Sequence, residues 1–177
     1  ALGIGCVGAI GPFEHVFEPR ELASPKVFVL ADPPLVDAVD RHGVERVDPA
    51  AAVLARHDQS RLAQHLQMQG IQTCGAVQIN TDNPTGGRCD MDVQILPNGP
   101  VIRISQSLGK DAKGCRLDSA ALENAAGLVK TELDKGAQLL IINKFGKHEA
   151  EGRGFRPLIG EALMRDIPVL LGVNALN

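Results

Sequence analysis

Aromatic residues are scarce in this sequence, which has five Phe and neither Trp nor Tyr. Proteins that bind single-stranded nucleic acid stack bases on aromatic side chains, so this class is disfavoured. The net charge is −3 and no cluster of Lys and Arg stands out, which disfavours binding to duplex DNA or to an anionic membrane. We therefore expect no nucleic-acid partner, and a core built from Val, Ile, Leu and Ala.

Long apolar runs are also missing, since no stretch approaches the roughly 18–20 residues that span a bilayer. The short apolar start at residues 2–10 has no basic segment before it, so a signal peptide is not expected. The four cysteines form no C-x-x-C pair, and reduced thiols are expected. These observations predict a cytoplasmic protein without a membrane span.

Strand and helix patterns alternate along the chain. Apolar runs predict strands at Lys26–Ala31, Ala50–Ala55, Ile71–Ile79, Gln138–Ile142 and Pro168–Val173. Capping residues, periodic apolar positions and glycine stops predict helices at 32–42, 61–69, 118–136 and 157–165. This alternation is typical of an α/β fold with three layers and a mostly parallel sheet.

A hairpin interrupts this alternation. The runs Asp90–Leu96 and Val101–Gln106 alternate at period two around a Pro-Asn-Gly turn, which predicts an inserted antiparallel hairpin or edge feature. The inward side chains are predicted to be Met91, Val93, Ile95, Ile102 and Ile104. The opposite face is predicted to carry Asp90, Asp92, Gln94, Arg103 and Ser105, where both aspartates can pair with Arg103.

The junction at Asn143 is the first candidate site. The apolar run of Gln138–Ile142 stops there, and the sequence NKFGKHEAEGRGF follows. Ligands of parallel sheets bind beyond the carboxyl ends of strands, and basic residues at that place favour a phosphate, a nucleotide or an oxyanion such as molybdate. The candidate anion ligands are Asn143, Lys144, Lys147 and Arg153, with Arg103, Ser105, Gln106 and Arg116 from the preceding segments. The alternative is a solvated loop in which Glu149 and Glu151 neutralise the lysines.

A metal site is a second hypothesis. Cysteine, carboxylate and imidazole groups suit a soft or borderline metal, although their spacing matches no known zinc framework. The candidate ligands are Cys89, Asp90, Asp92, Cys115 and His148. Cys115 is alternatively a nucleophile, because Arg116 and a nearby helix start would lower its pKa.

From about residue 50 to 173 the sequence resembles the small P-loop nucleoside-triphosphatases of the thermophilic type. Within that superfamily it is most similar to an uncharacterised bacterial branch that is often associated with molybdate uptake. The resemblance lies in Arg88–Gln106, Gly114–Leu133 and Ile141–Phe155, which contain RCDMD, GCRLD and NKFGKHEAEGRGF. It implies a P-loop-NTPase-like α/β domain over residues 50–177, with truncation at its C-terminus left open. Residues 1–49 would then form an N-terminal extension or an extra β-α unit.

The sequence departs from that superfamily where hydrolysis would take place. A P-loop needs glycines, a Lys and a Ser or Thr, but Leu54–Leu62 has neither Gly nor Lys, and Ser60 is its only hydroxyl. The acidic pair that would hold Mg²⁺ is replaced by Asn143 and Lys144. Ordinary Mg²⁺-dependent NTP hydrolysis is therefore not expected.

Three functions remain compatible with the sequence. The first is a protein that binds a small anionic ligand, a nucleotide or molybdate, on a degenerate P-loop scaffold. The second is a divergent NTPase or nucleotide kinase whose missing phosphate-binding parts come from residues 1–25 or from another subunit. The third is a non-catalytic assembly or regulatory subunit. Whether a reaction is catalysed and whether the chain forms a homo-oligomer are left open by the sequence.

Overall fold

The computed structural model describes residues 27–31, 59–81, 89–107 and 116–173. Several predictions lie outside these residues. They are the helix at 32–42, the strand at 50–55, the division at residue 49 and most of the segment that corresponds to a P-loop.

The described strands form one six-stranded sheet. In chain order they are β1 Val27–Ala31, β2 Thr73–Thr81, β3 Asp90–Leu96, β4 Val101–Arg103, β5 Leu139–Phe145 and β6 Val169–Val173. The order across the sheet is β1-β6-β5-β2-β3-β4. The pairs β1–β6, β6–β5 and β5–β2 are parallel, whereas β2–β3 and β3–β4 are antiparallel. The α/β class is confirmed, and the sheet is mixed.

Four helices lie in the described ranges together with these strands. They are α1 Gln59–Met68, α2 Ser119–Asp134, α3 Lys147–Ala150 and α4 Arg156–Met164. None of the helices in the described ranges combines the length and the apolar character that crossing a bilayer requires.

Helix α2 forms as its sequence predicts. The carboxylate of Asp118 accepts a hydrogen bond of 3.0 Å from the backbone N–H of Ala121, which satisfies one of the unpaired donors of the first turn. Gly136 has a φ of +94° just beyond the last turn, a conformation that glycine adopts readily. The predicted apolar stripe is buried throughout: Leu122, Ala125, Ala126, Val129 and Leu133.

The helices cover both faces of the sheet. Cys74 of β2 and Leu140 of β5 belong to a core that also contains buried side chains of α2 and α4. Leu139 and Ile141 are equally buried but lie outside that core, because successive side chains of a strand point to opposite faces. Helix α1 contacts β2 and β5 and buries Leu62 and Leu66 against this second face. The described residues thus form three layers.

The hairpin lies at the antiparallel edge of the sheet. Val93, Ile95 and Ile104 are buried, and Met91 and Ile102 pack against the same core, which confirms the predicted inward face. On the opposite face Arg103 lies 2.5 Å from Asp92 and 2.7 Å from Asp90. The second strand ends at Arg103, three residues before the prediction. Beyond it Ser105 forms an isolated β-bridge to Leu117, and its hydroxyl accepts a 3.0 Å hydrogen bond from the backbone N–H of Met91.

The segment after Ile142 is more ordered than its polar sequence suggests. Strand β5 continues to Phe145, three residues past the predicted end, and a helical turn replaces part of the expected loop. The turn is stabilised because the carboxylate of Glu149 accepts a 3.0 Å hydrogen bond from the backbone N–H of Gly146. Lys144 and Lys147 consequently lie in regular structure, whereas Arg153 lies between the helical turn and α4.

Candidate functional site: a cavity with a basic rim

A cavity of about 450 Å³ lies between strands β2, β3 and β5, the first turns of α2, and the α3 segment. Its inner wall is apolar: Ala76, Met91, Val93, Ile104, Leu117, Leu122, Ile142 and Phe155. Its polar rim is formed by side chains from the end of β5, from α3 and from the residues before α4. Such a wall with a few converging polar groups is typical of sites for small molecules.

The rim is more basic than acidic. Among the described residues, Arg116, Lys144, Lys147 and Arg153 line the cavity together with two carboxylates, those of Glu149 and Glu151. Asn143 and His148 are also part of the lining. The predicted anion ligands Arg103, Ser105 and Gln106 do not line it. The structure therefore brings together the basic residues of the segment 143–153 but leaves most of the hairpin residues elsewhere.

Asn143 connects two strands through its side chain. Its Oδ1 accepts a 2.7 Å hydrogen bond from the backbone N–H of Gln78, and its Nδ2 donates to the carbonyl of the same residue at 3.2 Å. This pair replaces main-chain hydrogen bonds beyond the last paired residues of β2 and β5, Ala76 and Ile142. A carboxylate at this position could accept from the N–H but could not donate to the carbonyl. Asn143 thus fixes the strand end that carries Lys144.

Lys144 and Lys147 are the most available cations of the rim. Both are exposed. Within the described part of the chain Lys144 makes no hydrogen bond or ion pair, whereas Lys147 Nζ lies 3.9 Å from a carboxylate oxygen of Glu151. An ammonium group without a protein partner, at the edge of a concave apolar wall, is free to pair with an anionic ligand.

Arg116 is engaged by the protein itself. Its guanidinium donates to the carbonyl of Gln106 at 3.1 Å and to the carbonyl of Cys89 at 3.0 Å, and it also lies 3.3 Å from Asp90. These contacts tie the start of β3 to the residues before α2. Arg116 therefore supports the wall of the cavity and contributes its charge from a fixed position.

Glu123 of α2 holds the α3 segment against the cavity. One of its oxygens accepts a 2.8 Å hydrogen bond from the backbone N–H of Gly154 and lies 3.2 Å from Nε2 of the buried His148. The Gly154 N–H, followed by His148, lowers the pKa of the Glu123 carboxyl below its ordinary value. No sequence motif noted above includes Glu123. The available signal in the sequence was the position of Glu123 four residues after Ser119, which places both residues on the same face of α2.

The two carboxylates of the lining differ in their surroundings. Glu149 is buried and caps the turn at Gly146, and a Cβ atom at Gly154 would lie only 2.6 Å from its Oε1. Glu151 is exposed and contacts the guanidinium of Arg153, which lowers the pKa of the Glu151 carboxyl. Glu149 is therefore part of the framework, whereas Glu151 belongs to the charged surface of the rim.

The predicted metal ligands that lie in the described residues do not form a common cluster. Asp90 and Asp92 are paired with Arg103, and His148 lies against Glu123. Cys89 is exposed, and Cys115 lies outside the described residues. No group of three or more His, Cys, Asp or Glu side chains suited to a metal occurs in the ranges that the structure describes. The metal site and the nucleophilic role of Cys115 stay predictions.

Comparison with known proteins places this chain in a family. Residues 48–177 match the family model described as "Protein of unknown function (DUF2478)". The chain belongs to this family. All residues that line the cavity lie within the matched range. The expected membership of an uncharacterised family is thereby confirmed, and its place in the P-loop superfamily stays a prediction.

The chain is also similar to part of a named protein. It is 39% identical over 111 residues to "Molybdenum import ATP-binding protein ModC 2" of Bradyrhizobium diazoefficiens. The matched segment covers 63% of this chain and 12% of that relative, so the chain spans only a small part of the relative's length. No solved structure matches the chain significantly.

Proposed function

We propose that this protein binds a nucleotide in the cavity, through direct contact between its phosphates and the basic rim. The observation that carries the proposal is the combination of an apolar wall with a rim in which Lys144 has no partner among the described residues. A nucleotide has the matching character, because its base and sugar offer a largely uncharged surface and its phosphates are anionic.

The size of the cavity favours a nucleotide over a single oxyanion. A volume of about 450 Å³ falls within the range of roughly 300–1,000 Å³ that small-molecule sites occupy. It corresponds to about fifteen water molecules at ~30 Å³ each, far more than one tetrahedral anion displaces. An oxyanion alone would leave the apolar wall without a contact.

The residues at the end of β5 favour binding of the phosphates without Mg²⁺. Magnesium in phosphate sites is held by carboxylates together with the phosphates. Near the end of β5 the sequence instead has Asn143, whose amide is bonded to Gln78, and Lys144. Lys144 supplies the positive charge that a metal ion would otherwise bring, which supports a degenerate P-loop-like scaffold that holds nucleotide without ordinary hydrolysis.

The protein that this chain matches over part of its length also supports nucleotide binding. Its printed name combines ATP binding with molybdenum import, and the similarity makes a role in molybdenum handling a reasonable context for this chain. A second candidate function follows from that name, namely the direct binding of molybdate at the basic rim. A divergent NTPase or nucleotide kinase is the third, and it requires turnover in addition to binding.

Titration calorimetry on the full chain separates these candidates. ATP, GTP, inorganic phosphate and molybdate are each titrated with and without Mg²⁺. The proposal predicts that a nucleotide binds more tightly than either inorganic anion, and that binding persists when EDTA removes Mg²⁺. Tighter binding of molybdate would favour the second candidate, and release of phosphate from ATP would favour the third. If none of the four compounds binds, the proposed function is wrong.

A further inference from the structure

The carboxylate of Glu151 is paired with two basic side chains of the cavity rim. It contacts the guanidinium of Arg153 and lies 3.9 Å from Nζ of Lys147, and all three residues line the cavity. Two of the four basic side chains of the rim are therefore already paired with an anion that belongs to the protein.

This pairing has no visible structural purpose. In the described residues the Glu151 carboxylate accepts no backbone N–H, and about 43% of its side chain is exposed. Glu149, two residues earlier, is its counterpart: it is buried and accepts from the N–H of Gly146. An exposed ion pair contributes little to stability, so Glu151 can leave Arg153 without disturbing the fold.

A phosphate group can replace this carboxylate directly. Guanidinium groups bind carboxylates and phosphates through the same pair of parallel N–H···O hydrogen bonds. A terminal phosphate carries about −1.5 to −2 charges at neutral pH, compared with −1 for a carboxylate. The exchange therefore favours a ligand with a terminal phosphate over the internal carboxylate.

We propose that Glu151 is an internal competitor that occupies Arg153 and Lys147 until the terminal phosphate of the ligand displaces it. This inference rests on the proposed function and adds the orientation of the ligand. The phosphate end lies at Lys144, Lys147 and Arg153, and the uncharged part of the ligand lies on the apolar wall. Affinity for phosphate is then lower than the basic rim alone would give.

The test compares Glu151→Gln with the wild-type chain by calorimetry, using ATP, inorganic phosphate and adenosine. We expect the variant to bind ATP and phosphate about two- to five-fold more tightly, the range that loss of an exposed ion pair corresponds to. Adenosine, which has no phosphate, is expected to bind both proteins equally. Glu132→Gln is the matched control, because it also removes one carboxylate charge from an ion pair, here with Lys135. Glu132 lies roughly 20 Å along α2 from Ser119, which lines the cavity.

A double variant identifies the group that Glu151 competes for. In an Arg153→Gln background, the additional Glu151→Gln change is expected to give a clearly smaller gain, since only Lys147 is then released. The inference is overturned if Glu151→Gln and Glu132→Gln tighten phosphate binding equally, or if the gain is undiminished without Arg153. If ATP and phosphate bind neither the wild type nor Glu151→Gln, the proposed function fails as well. Binding to the wild type without a gain in Glu151→Gln overturns this inference alone.

Discussion

The charged residues at the two ends of helix α2 are arranged differently. At its C-terminal end the charges form a closed network. Lys130 lies 2.7 Å from Asp134 and 3.0 Å from Glu161, and Arg165 of the α4 end lies 2.7 Å from Asp134. At its N-terminal end Glu123 accepts from the α3 segment, and the basic side chains beyond it surround a cavity.

The difference separates charges that serve the fold from charges that are available to a ligand. Each cation of the C-terminal network has a carboxylate partner. The rim of the cavity is concave, is backed by apolar residues and includes Lys144, which has no partner among the described residues. Charge alone therefore does not mark a site. A candidate site is marked by an incompletely neutralised charge beside a concave apolar wall.

The largest expected effect is on ligand binding when Lys144 is removed. We expect Lys144→Ala to weaken ATP binding about 10- to 100-fold, because a hydrogen bond to a charged group contributes about 1.5–3 kcal/mol. Lys135→Ala at the other end of α2 is the matched control and should leave affinity unchanged. Calorimetry measures both. Equal losses in the two variants would show that net charge, and not the cavity, governs binding.

The second prediction concerns the packing of the α3 segment. Gly154 has a φ of +59°, and an added Cβ would meet Glu149 Oε1 at 2.6 Å and Leu122 Cδ2 at 3.3 Å. We expect Gly154→Ala to lower the free energy of unfolding by about 2 kcal/mol in urea denaturation. Gly160→Ala in α4, where no atom lies within 4 Å of the new Cβ, should instead raise it by about 0.5–1 kcal/mol. If Gly154→Ala leaves the free energy of unfolding unchanged, the close packing of this segment is contradicted.

The third prediction tests the attachment of this segment to α2. Glu123→Ala removes the acceptor for the Gly154 N–H and the partner of His148, and we expect a loss of about 1 kcal/mol in the free energy of unfolding. The Gly154 amide should also exchange faster with deuterium, because its hydrogen bond is lost. Glu132→Ala removes a carboxylate at the opposite end and is expected to change neither quantity appreciably. If the Gly154 amide exchanges with deuterium at the same rate in Glu123→Ala and in the wild type, Glu123 does not hold this segment against α2.

The smallest expected effect is at the closed network. Lys130, followed by Arg165, lowers the pKa of Asp134 below its ordinary value of 3.8. A carboxyl whose pKa is lowered by folding stabilises the protein above its unfolded pKa, and this contribution is lost as the pH falls through the folded pKa. We expect Asp134→Asn to lower the melting temperature by no more than a few degrees at pH 7, and by less still below pH 3.8. If the difference in melting temperature between Asp134→Asn and the wild type grows as the pH falls, this contribution of Asp134 to stability is contradicted.

The sequence anticipated local features well. The stripe and cap of α2 and the inward face of the hairpin follow from spacing and capping chemistry, which act between neighbours in the chain. Lys144, Lys147 and Arg153 were identified because they follow an apolar run. The extra length of β5 was missed because Asn143 and Lys144 interrupt its apolar run, and the side chain of Asn143 pairs there with Gln78, 65 residues away.

The sequence by itself determined the α/β class and the concentration of basic residues after β5. Only the tertiary structure decided which of these residues share a cavity. It assigned Arg103 and Arg116 to ion pairs and carbonyl contacts within the protein, and it placed Glu123 beneath the α3 segment. The physical reason is that pairing of charges depends on distances between residues far apart in sequence. The spacing of residues along one strand or helix does not contain those distances.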